Sequence, residues 1–272
     1  MSISITSYYD SNTARFLRLG GSGELAAIHR AIWGPGVTRR ADAFLYLNRL
    51  VADSFPSDAL PLLDVGCGVG GTATWLAQAR GARVTGVTIS PVQAQWANER
   101  AACLGLGQQC YFRQADFHHL PPDLGVFGGA YAIESFAHAQ APQRFFEQAA
   151  AHLARGARLV IADDFLAPRA THKPTAVPWV RRVRRDWHLT SLGPVSQAVI
   201  IASHAGFHLL RDDNLTPYIR TWPAAWLALV ASITRLPIGT AYWQNLSGGA
   251  ALQICLRQGW TEYHALVFEL AG

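Results

Sequence analysis

Residues 62–71 read LLDVGCGVGG, an apolar strand that runs directly into a series of glycines. Glycine has no Cβ atom, so Gly66, Gly68 and Gly70 allow a tight turn and a close approach of the backbone to a ligand. The same string fits the pattern GxGxxG through Gly66, Gly68 and Gly71, which is typical of nucleotide-binding loops after the first strand of an α/β sheet. The stretch therefore predicts a strand, a ligand-binding loop and a helix.

Strand-like and helix-like segments alternate after this loop, which predicts a parallel sheet with helices on both faces. Ser90-Pro91 is a typical helix start, with an N-cap serine followed by a proline in the first turn. The predicted strands are 60–65, 82–88, 109–115, 126–133 and 157–165, with further strands in FHLLRDDNLT and TEYHALVFEL, and the predicted helices lie near 70–80, 91–104 and 142–154. The sequence therefore predicts an open α/β sheet.

Two regions interrupt this alternation. Residues 1–58 suggest helices around the glycine-rich break LGGSGE, and we expect them to form an N-terminal helical cap. Residues 59–272 are expected to form the sheet domain, with a lid insert at about 168–205. In the insert, Trp179, Val183 and Trp187 recur every four residues, which predicts an amphipathic helix from about Pro178. Open α/β sheets bind ligands at the carboxyl edge, where such a lid would lie.

The composition predicts a globular protein with a large core. Half of the 272 residues are hydrophobic and only 15% are charged, which excludes disorder. The net charge of +5 comes from arginines that are scattered except at 181–185, so nucleic-acid binding is not expected. The four cysteines show no metal-ligand or disulfide spacing. We expect no metal site and no membrane span, and the reduced thiols predict a cytoplasmic protein.

The end of the second predicted strand distinguishes between nucleotide cofactors. An NAD site requires Asp or Glu there and an NADP site requires a nearby Arg, whereas this chain has VTIS at 87–90. Asp64 ends the first strand, where a carboxylate could face a cationic ligand. S-adenosylmethionine carries an ammonium and a sulfonium and has no pyrophosphate. The residues therefore favour S-adenosylmethionine over a nicotinamide cofactor.

Four motifs carry a resemblance to a known family. In this order and spacing, LLDVGCGVGG, GVTISPVQ, QADF and YAIES resemble the class I S-adenosylmethionine-dependent methyltransferases. More narrowly, GVTISPVQAQWANERA resembles the branch of sterol, tocopherol-type and prenyl-diphosphate C-methyltransferases. The resemblance covers about residues 60–165, and Gly128 and Gly129 depart from it where relatives usually keep an Asp. It implies a Rossmann-like, seven-stranded, mostly parallel sheet with a helical N-terminal and insert cap.

The resemblance also implies roles for individual residues along the cofactor. It implies that Asp64, Gly66 and Gly68 contact the methionine part of the cofactor, and that Thr88, Ile89 and Gln93 contact its ribose and adenine side. It also implies that Asp116 and Phe117 contact the adenine. Tyr131, Ala132 and Ile133 are implied to line the passage between the cofactor and the acceptor. His118 and His119 follow on the loop beside the adenine, where a purely structural role is favoured.

Glu134 and His138 are the candidate catalytic residues. They follow the fourth predicted strand in AIESFAHA and share one face if the segment is helical. An alkene acceptor attacks a sulfonium methyl group through its π electrons and leaves a carbocation, which needs a carboxylate or aromatic faces and then a base. The resemblance implies that Glu134 stabilises such a cation or orients the acceptor. The alternative is a pair that only braces a helix.

Aromatic residues in the variable regions are the candidate acceptor-binding residues. They are Tyr8, Tyr9, His29 and Trp33 in the cap, and Trp179, Trp187 and Trp222 later in the chain, with Trp226 as a further candidate. The nine tryptophans suggest a large apolar acceptor or a cage for a cation, although most tryptophans in proteins belong to the core. The arginines at 181–185 either form a solvated helix face or anchor an anionic group of the acceptor.

Together these features predict a methyltransferase acting on a small, apolar natural product, with C-methylation of an isoprenoid alkene favoured. N- or O-methylation of a small aromatic or alkaloid-like metabolite is the alternative, with His138 or His29 as the base. A nucleotide-binding module without catalysis and a nicotinamide-dependent oxidoreductase are the alternatives from other classes. The expected partner is a small-molecule acceptor; a homo-oligomer is compatible with the sequence, and a requirement for Mg²⁺ is left open.

Overall fold

The computed structural model of the chain describes residues 28–56, 61–234 and 240–272. Its centre is a seven-stranded sheet with the strand order β3-β2-β1-β4-β5-β7-β6. The strands are β1 (Leu62–Val65), β2 (Val84–Thr88), β3 (Cys110–Gln114), β4 (Phe127–Ile133), β5 (Leu153–Leu166), β6 (Phe207–Asn214) and β7 (Thr261–Leu270). Neighbouring strands are parallel except β7, which is antiparallel to β5 and β6. The predicted fold class is confirmed.

Helices cover the sheet and its carboxyl edge. They are α1 (Arg40–Ser54), α2 (Gly71–Arg80), α3 (Pro91–Cys103), α4 (Pro142–Ala151), α5 (Val177–Trp187), α6 (Val195–His204), α7 (Ala224–Ile233) and α8 (Ala241–Gln258). The start of α3 follows the prediction, because the Ser90 hydroxyl accepts a hydrogen bond from the Gln93 amide at 3.1 Å. None of the described helices is both long and apolar enough to cross a membrane.

Two apolar layers hold the sheet between the helices. On one side, Phe145 and Phe146 of α4 pack against Phe268 of β7. On the other side, Leu76 of α2 lies in a cluster with Phe112 of β3. Replacing a buried Phe with Ala usually costs about 3–5 kcal/mol, so these layers dominate the stability of the domain.

The boundary between α4 and β5 differs from the sequence-based prediction. The helix ends at Ala151 and the strand begins at Leu153, four residues before the predicted start. Leu153 pairs with Phe127, and the ladder resumes only at the pair of Gly129 with Arg158. Gly156 has a φ of +74°, so a turn inside the strand absorbs this shift in register.

The predicted lid region contains α5 and α6. Helix α5 begins at Val177, close to the predicted start, and it packs along α8. Val183 of α5 is fully buried in a cluster with Ala251 and Cys255 of α8. Because α8 leads directly into β7, this contact fixes the lid to the sheet. The predicted cap at 1–58 is described only over residues 28–56, where α1 is the one helix.

Candidate active site

A cavity lies at the carboxyl ends of β1, β2, β4 and β5, as expected for an open α/β sheet. Its volume is about 280 Å³. Most of the predicted cofactor and catalytic residues line it together, namely Asp64, Gly66, Gly68, Thr88, Ile89, Gln93, Asp116, Phe117, Glu134 and His138, as do His29 and Trp187 from the predicted acceptor set. The structure therefore brings the two halves of the predicted site into one space.

The glycine loop needs glycine for two separate reasons. Gly66 has a φ of +93°, a conformation that residues with a side chain rarely adopt. A Cβ atom at this position would also lie 2.4 Å from the Cβ of Ser135. Ser135 is held there because its hydroxyl donates to the Val65 carbonyl at 2.6 Å. The loop after β1 and the loop after β4 are thus packed directly against each other at the cavity.

Asp64 is buried at the bottom of the cavity. Burial raises the pKa of its carboxyl to about 7, and the nearby Tyr131 hydroxyl offsets part of this shift. A cationic ligand beside Asp64 would favour the ionised form, because an opposite charge stabilises a buried carboxylate.

Thr88, Ser90 and Gln93 form a buried hydrogen-bond network at the start of α3. The Thr88 hydroxyl donates to the Gln93 side-chain oxygen at 2.8 Å and accepts from the Ser90 amide at 3.3 Å. Neutral groups therefore occupy the place where a nicotinamide site would have a carboxylate or an arginine.

Asp116 is fixed by His118. Burial raises the pKa of Asp116, but hydrogen bonds from the backbone and ring of His118 lower it below its ordinary value overall. The other ring nitrogen of His118 accepts from the Ala141 amide at 3.3 Å, so Nδ1 carries the proton that is donated to Asp116. His118 thus orients the carboxylate that the resemblance places at the adenine.

Glu134 adopts a left-handed backbone conformation, with a φ of +50°. One oxygen of its carboxylate, Oε1, accepts hydrogen bonds from the Arg30 amide at 2.9 Å and from the Tyr263 hydroxyl at 3.1 Å. The premise of a helix from Glu134 to His138 is wrong, since only Phe136–His138 form a single 3-10 turn. Glu134 and His138 nevertheless both line the cavity, because the left-handed backbone at Glu134 is followed directly by this turn.

Two further carboxyl groups line the cavity, and their role was missed from the sequence. Asp163 and Asp164 belong to no motif of the sequence, and both are buried within β5 near its carboxyl end. Burial and the charge of Asp164 raise the pKa of Asp163 to about 8. Their position at the carboxyl edge of a predicted strand was the signal that could have identified them.

Arg30 neutralises part of this acidic cluster. Its guanidinium binds both carboxylate oxygens of Asp164, with 2.9 Å from Nη1 to Oδ1, and its Nε lies 3.8 Å from Oε1 of Glu134. Burial lowers the pKa of Arg30, but the charges of Asp164 and Glu134 outweigh this effect and raise it overall. No motif in the sequence indicated Arg30, because its partners are more than a hundred residues away.

His138 is half-buried beside the cavity. Burial lowers the pKa of its imidazole to about 4, so the ring is neutral at pH 7.

Within the described residues, no group of three or more His, Cys, Asp or Glu has the arrangement of a metal site.

Several predicted residues lie elsewhere. The Trp33 ring is covered by Arg220, whose guanidinium carbon lies 3.4 Å from its centroid. Trp179 lines a separate groove against α7 and α8, and Trp222 is 40% exposed. Tyr131 and Ala132 lie in the core while Ile133 lines the cavity, and Tyr8 and Tyr9 lie outside the described residues.

The arginines at 181–185 also lie away from the cavity lining. Arg182 donates to the Ser247 hydroxyl at 2.7 Å and to the Ala231 carbonyl at 3.0 Å, which ties α5 to α8 and α7. Arg185 binds Asp186 at 2.6 Å, and Arg181 and Arg184 are exposed. Their positions fit the solvated-face interpretation better than an anchor for the acceptor.

Trp187 lines the cavity, and two glycines of α8 lie against its ring. Its indole nitrogen donates to the Asn245 carbonyl at 3.0 Å. A Cβ at Gly248 would lie 2.3 Å from the ring, whereas one at Gly249 would make a tight contact at 3.3 Å.

We therefore expect Gly248→Ala to destabilise the protein by about 1–3 kcal/mol, since the clash exceeds the gain in helix propensity of about 1 kcal/mol. Gly249→Ala is the matched control and should be neutral or stabilising. Urea unfolding of both variants measures the difference. Equal stability of the two variants would contradict the close packing of the Trp187 ring against Gly248.

Comparisons with known proteins show which proteins the chain is similar to. Residues 63–161 match the model of a methyltransferase domain. A probable chloroplastic tocopherol O-methyltransferase of Oryza sativa subsp. japonica is 28% identical over 230 residues, covering 80% of this chain and 63% of that protein. Methyltransferase GfsG of Streptomyces halstedii is 41% identical over 164 residues, covering 60% of this chain and 58% of that protein. The chain thus spans about three fifths of the length of both relatives.

A solved structure shows the same fold. Geranyl diphosphate C-methyltransferase from Streptomyces coelicolor A3(2), in complex with Mg²⁺, geranyl diphosphate and S-adenosyl-L-homocysteine, superposes with a TM-score of 0.70. The identity is 18%, and the match covers 98% of this chain and all of that one. These matches confirm the predicted resemblance to class I methyltransferases and the predicted architecture.

Proposed function

We propose that this chain is an S-adenosylmethionine-dependent methyltransferase that acts on a small, neutral, apolar acceptor, with C-methylation of an isoprenoid-type alkene favoured. The observation that carries the proposal is the continuity of the cavity. It joins the residues expected at the cofactor, such as Asp64 and Asp116, to Glu134 and His138, beneath the apolar side chains of Trp187 and Leu189.

The cofactor end fits S-adenosylmethionine. The loop at Gly66 brings the backbone close to the cavity, and Asp64 offers a carboxyl that a cation would ionise. Thr88 and Gln93 replace the charged residue of a nicotinamide site, and Asp116 is oriented by His118. When bound, S-adenosylmethionine supplies an electrophilic methyl group.

The charge balance at the acceptor end favours a neutral substrate that becomes positive. Arg30 is the only arginine or lysine among the described residues that line the cavity, and it is already bound to Asp164. Glu134, Asp163 and Asp164 surround the same space. Within the described lining a diphosphate would meet no arginine or lysine other than Arg30, whereas the Glu134 carboxylate would stabilise a carbocation.

In this mechanism the chain positions the acceptor and controls one charge and one proton. When bound, S-adenosylmethionine would supply the methyl group that the alkene π electrons attack, its sulfur would leave as S-adenosylhomocysteine, and a cation would remain on the acceptor. The Glu134 carboxylate, held by the Arg30 amide and the Tyr263 hydroxyl, stabilises that cation. Glu134 or the neutral ring of His138 then accepts the proton that leaves the adjacent carbon.

O-methylation is the second candidate. It is supported by the similarity to a tocopherol O-methyltransferase and by the half-buried, neutral His138, which could accept the proton of a hydroxyl acceptor. In that reaction Glu134 would orient the hydroxyl and no carbocation would form.

Calorimetry with purified protein tests the proposal first. S-adenosylmethionine and S-adenosylhomocysteine are expected to bind and NADH is not. Turnover with cofactor carrying a ¹³C-labelled methyl group, screened against terpenoid alkenes and phenols, then separates the candidates, because C-methyl and O-methyl carbons have distinct chemical shifts. Binding of NADH alone would overturn the proposal.

The titration of Asp64 gives a further prediction. Because its pKa is raised to about 7 and the ionised form should prefer the cationic cofactor, affinity for S-adenosylmethionine is expected to rise several-fold between about pH 6 and about pH 7.5. Asp64→Asn should bind more weakly and lose this dependence, while Asp53→Asn, at an exposed aspartate, should keep it. A pH dependence that survives in Asp64→Asn would contradict a contact between Asp64 and the cofactor.

A further inference from the structure

A stripe of large apolar side chains is exposed on α7 and beside it. Five residues, namely Trp222, Trp226, Leu229, Ile233 and Tyr242, are between 40% and 52% exposed. Trp226, Leu229 and Ile233 are spaced by three and four residues, so they lie on one side of α7. We call these five residues the α7 face. They account for five of the eleven large apolar residues that are exposed in the described part of the chain.

The sequence of α7 explains why both of its sides are apolar. The helix reads AAWLALVASI and contains no charged residue. Leu227 and Val230 are buried against Ala250 of α8, so one side of α7 already packs on the protein. The opposite side is equally apolar and faces outwards. Such a patch on a protein surface usually marks a binding site for another apolar surface.

The charge around the α7 face is positive. The described residues between 214 and 261 include no Asp or Glu and two arginines, Arg220 and Arg257. Arg257 lies beside Trp222, where its Nη1 donates to the Thr221 hydroxyl at 3.2 Å. Helix α5, which contacts α7 through Arg182, adds exposed arginines at 181, 184 and 185. Its single acid, Asp186, is buried in bonds to Arg185 and Ser247.

We propose that the α7 face docks onto the surface of an anionic lipid bilayer. Tryptophan and tyrosine favour the interface between headgroups and acyl chains, and arginines bind anionic headgroups. Helix α7 has ten residues, too few to span a membrane, so it lies in the plane of the interface. A second copy of the chain would place two positive faces together, and an acidic protein partner would not require the exposed indoles. This inference does not depend on the proposed methyl transfer.

Flotation with lipid vesicles tests the proposal. The intact chain is expected to float with vesicles of phosphatidylcholine and phosphatidylglycerol, to bind phosphatidylcholine alone more weakly, and to dissociate as salt is raised. The double variant Trp226→Gln, Leu229→Gln is expected to lose at least about tenfold in partitioning, because two apolar side chains no longer enter the interface. Both residues are exposed, so folding should be unaffected.

Val126→Gln provides the matched control. Val126 is 60% exposed and precedes β4, at the edge of the sheet opposite the cavity, so its replacement should leave partitioning unchanged. Failure of the intact chain to float with anionic vesicles would overturn the proposal. So would equal flotation of the double variant, or sedimentation showing that the α7 face instead mediates a dimer that the double variant abolishes.

Discussion

Replacing Glu134 with glutamine is expected to lower turnover on an alkene acceptor by roughly 10²–10⁴-fold, while affinity for S-adenosylmethionine stays nearly unchanged. The substitution removes the charge and keeps the shape. The remaining side-chain oxygen can still accept from the Arg30 amide and the Tyr263 hydroxyl, so the left-handed backbone and the loop after β4 should persist. The loss would therefore report the missing negative charge at a carbocation.

Single-turnover kinetics and calorimetry on the same preparation measure the two effects separately. Tyr263→Phe is the matched control, because it removes one hydrogen bond to Glu134 and keeps the carboxylate. We expect a much smaller loss in that variant. Full turnover in Glu134→Gln would exclude the carbocation role. If His138→Gln then abolished activity, O-methylation with His138 as base would be favoured.

The sheet could be predicted from sequence because its signals are local. Glycines after β1, the N-cap Ser90 before α3 and apolar runs of strand length each depend on neighbouring residues only. The start of β5 was predicted four residues too late because it depends on contacts that are not local in sequence. The pairing of Leu153 with Phe127 depends on a turn at Gly156 and on a strand distant in sequence, and no local pattern encodes it.

The cofactor end of the cavity could be predicted from local sequence signals, whereas the acceptor end depends on contacts between distant parts of the chain. Asp64, Thr88 and Asp116 each stand at or just beyond the end of a strand, so their convergence follows from the parallel topology. Arg30 reaches Asp164 from a segment outside the alternating pattern, and Trp187 depends on the glycines of α8. Tryptophan composition alone could not distinguish Trp187 in the cavity from Trp222 on the surface.

Gly66→Ala is expected to abolish measurable binding of S-adenosylmethionine, with at least about a hundredfold loss in affinity. Two independent effects act at this position. The φ of +93° is strained for alanine, and the new Cβ would lie 2.4 Å from the Cβ of Ser135. Ser135 cannot retreat easily, since its hydroxyl is bound to the Val65 carbonyl at 2.6 Å. The glycine loop must move instead, and unfolding should become easier by about 2–4 kcal/mol.

Gly81→Ala separates these two effects. Gly81 ends α2 with a φ of +66°, and a Cβ there would have no atom within 4 Å. It should therefore lose only about 1–2 kcal/mol from backbone strain and retain full cofactor affinity. Calorimetric titration and urea unfolding of both variants give the comparison. If Gly66→Ala bound S-adenosylmethionine as well as Gly81→Ala does, the contact between the loops after β1 and β4 would not control the cofactor site. The loss of affinity must exceed what the loss of stability explains, because only the first substitution displaces the backbone that lines the cavity.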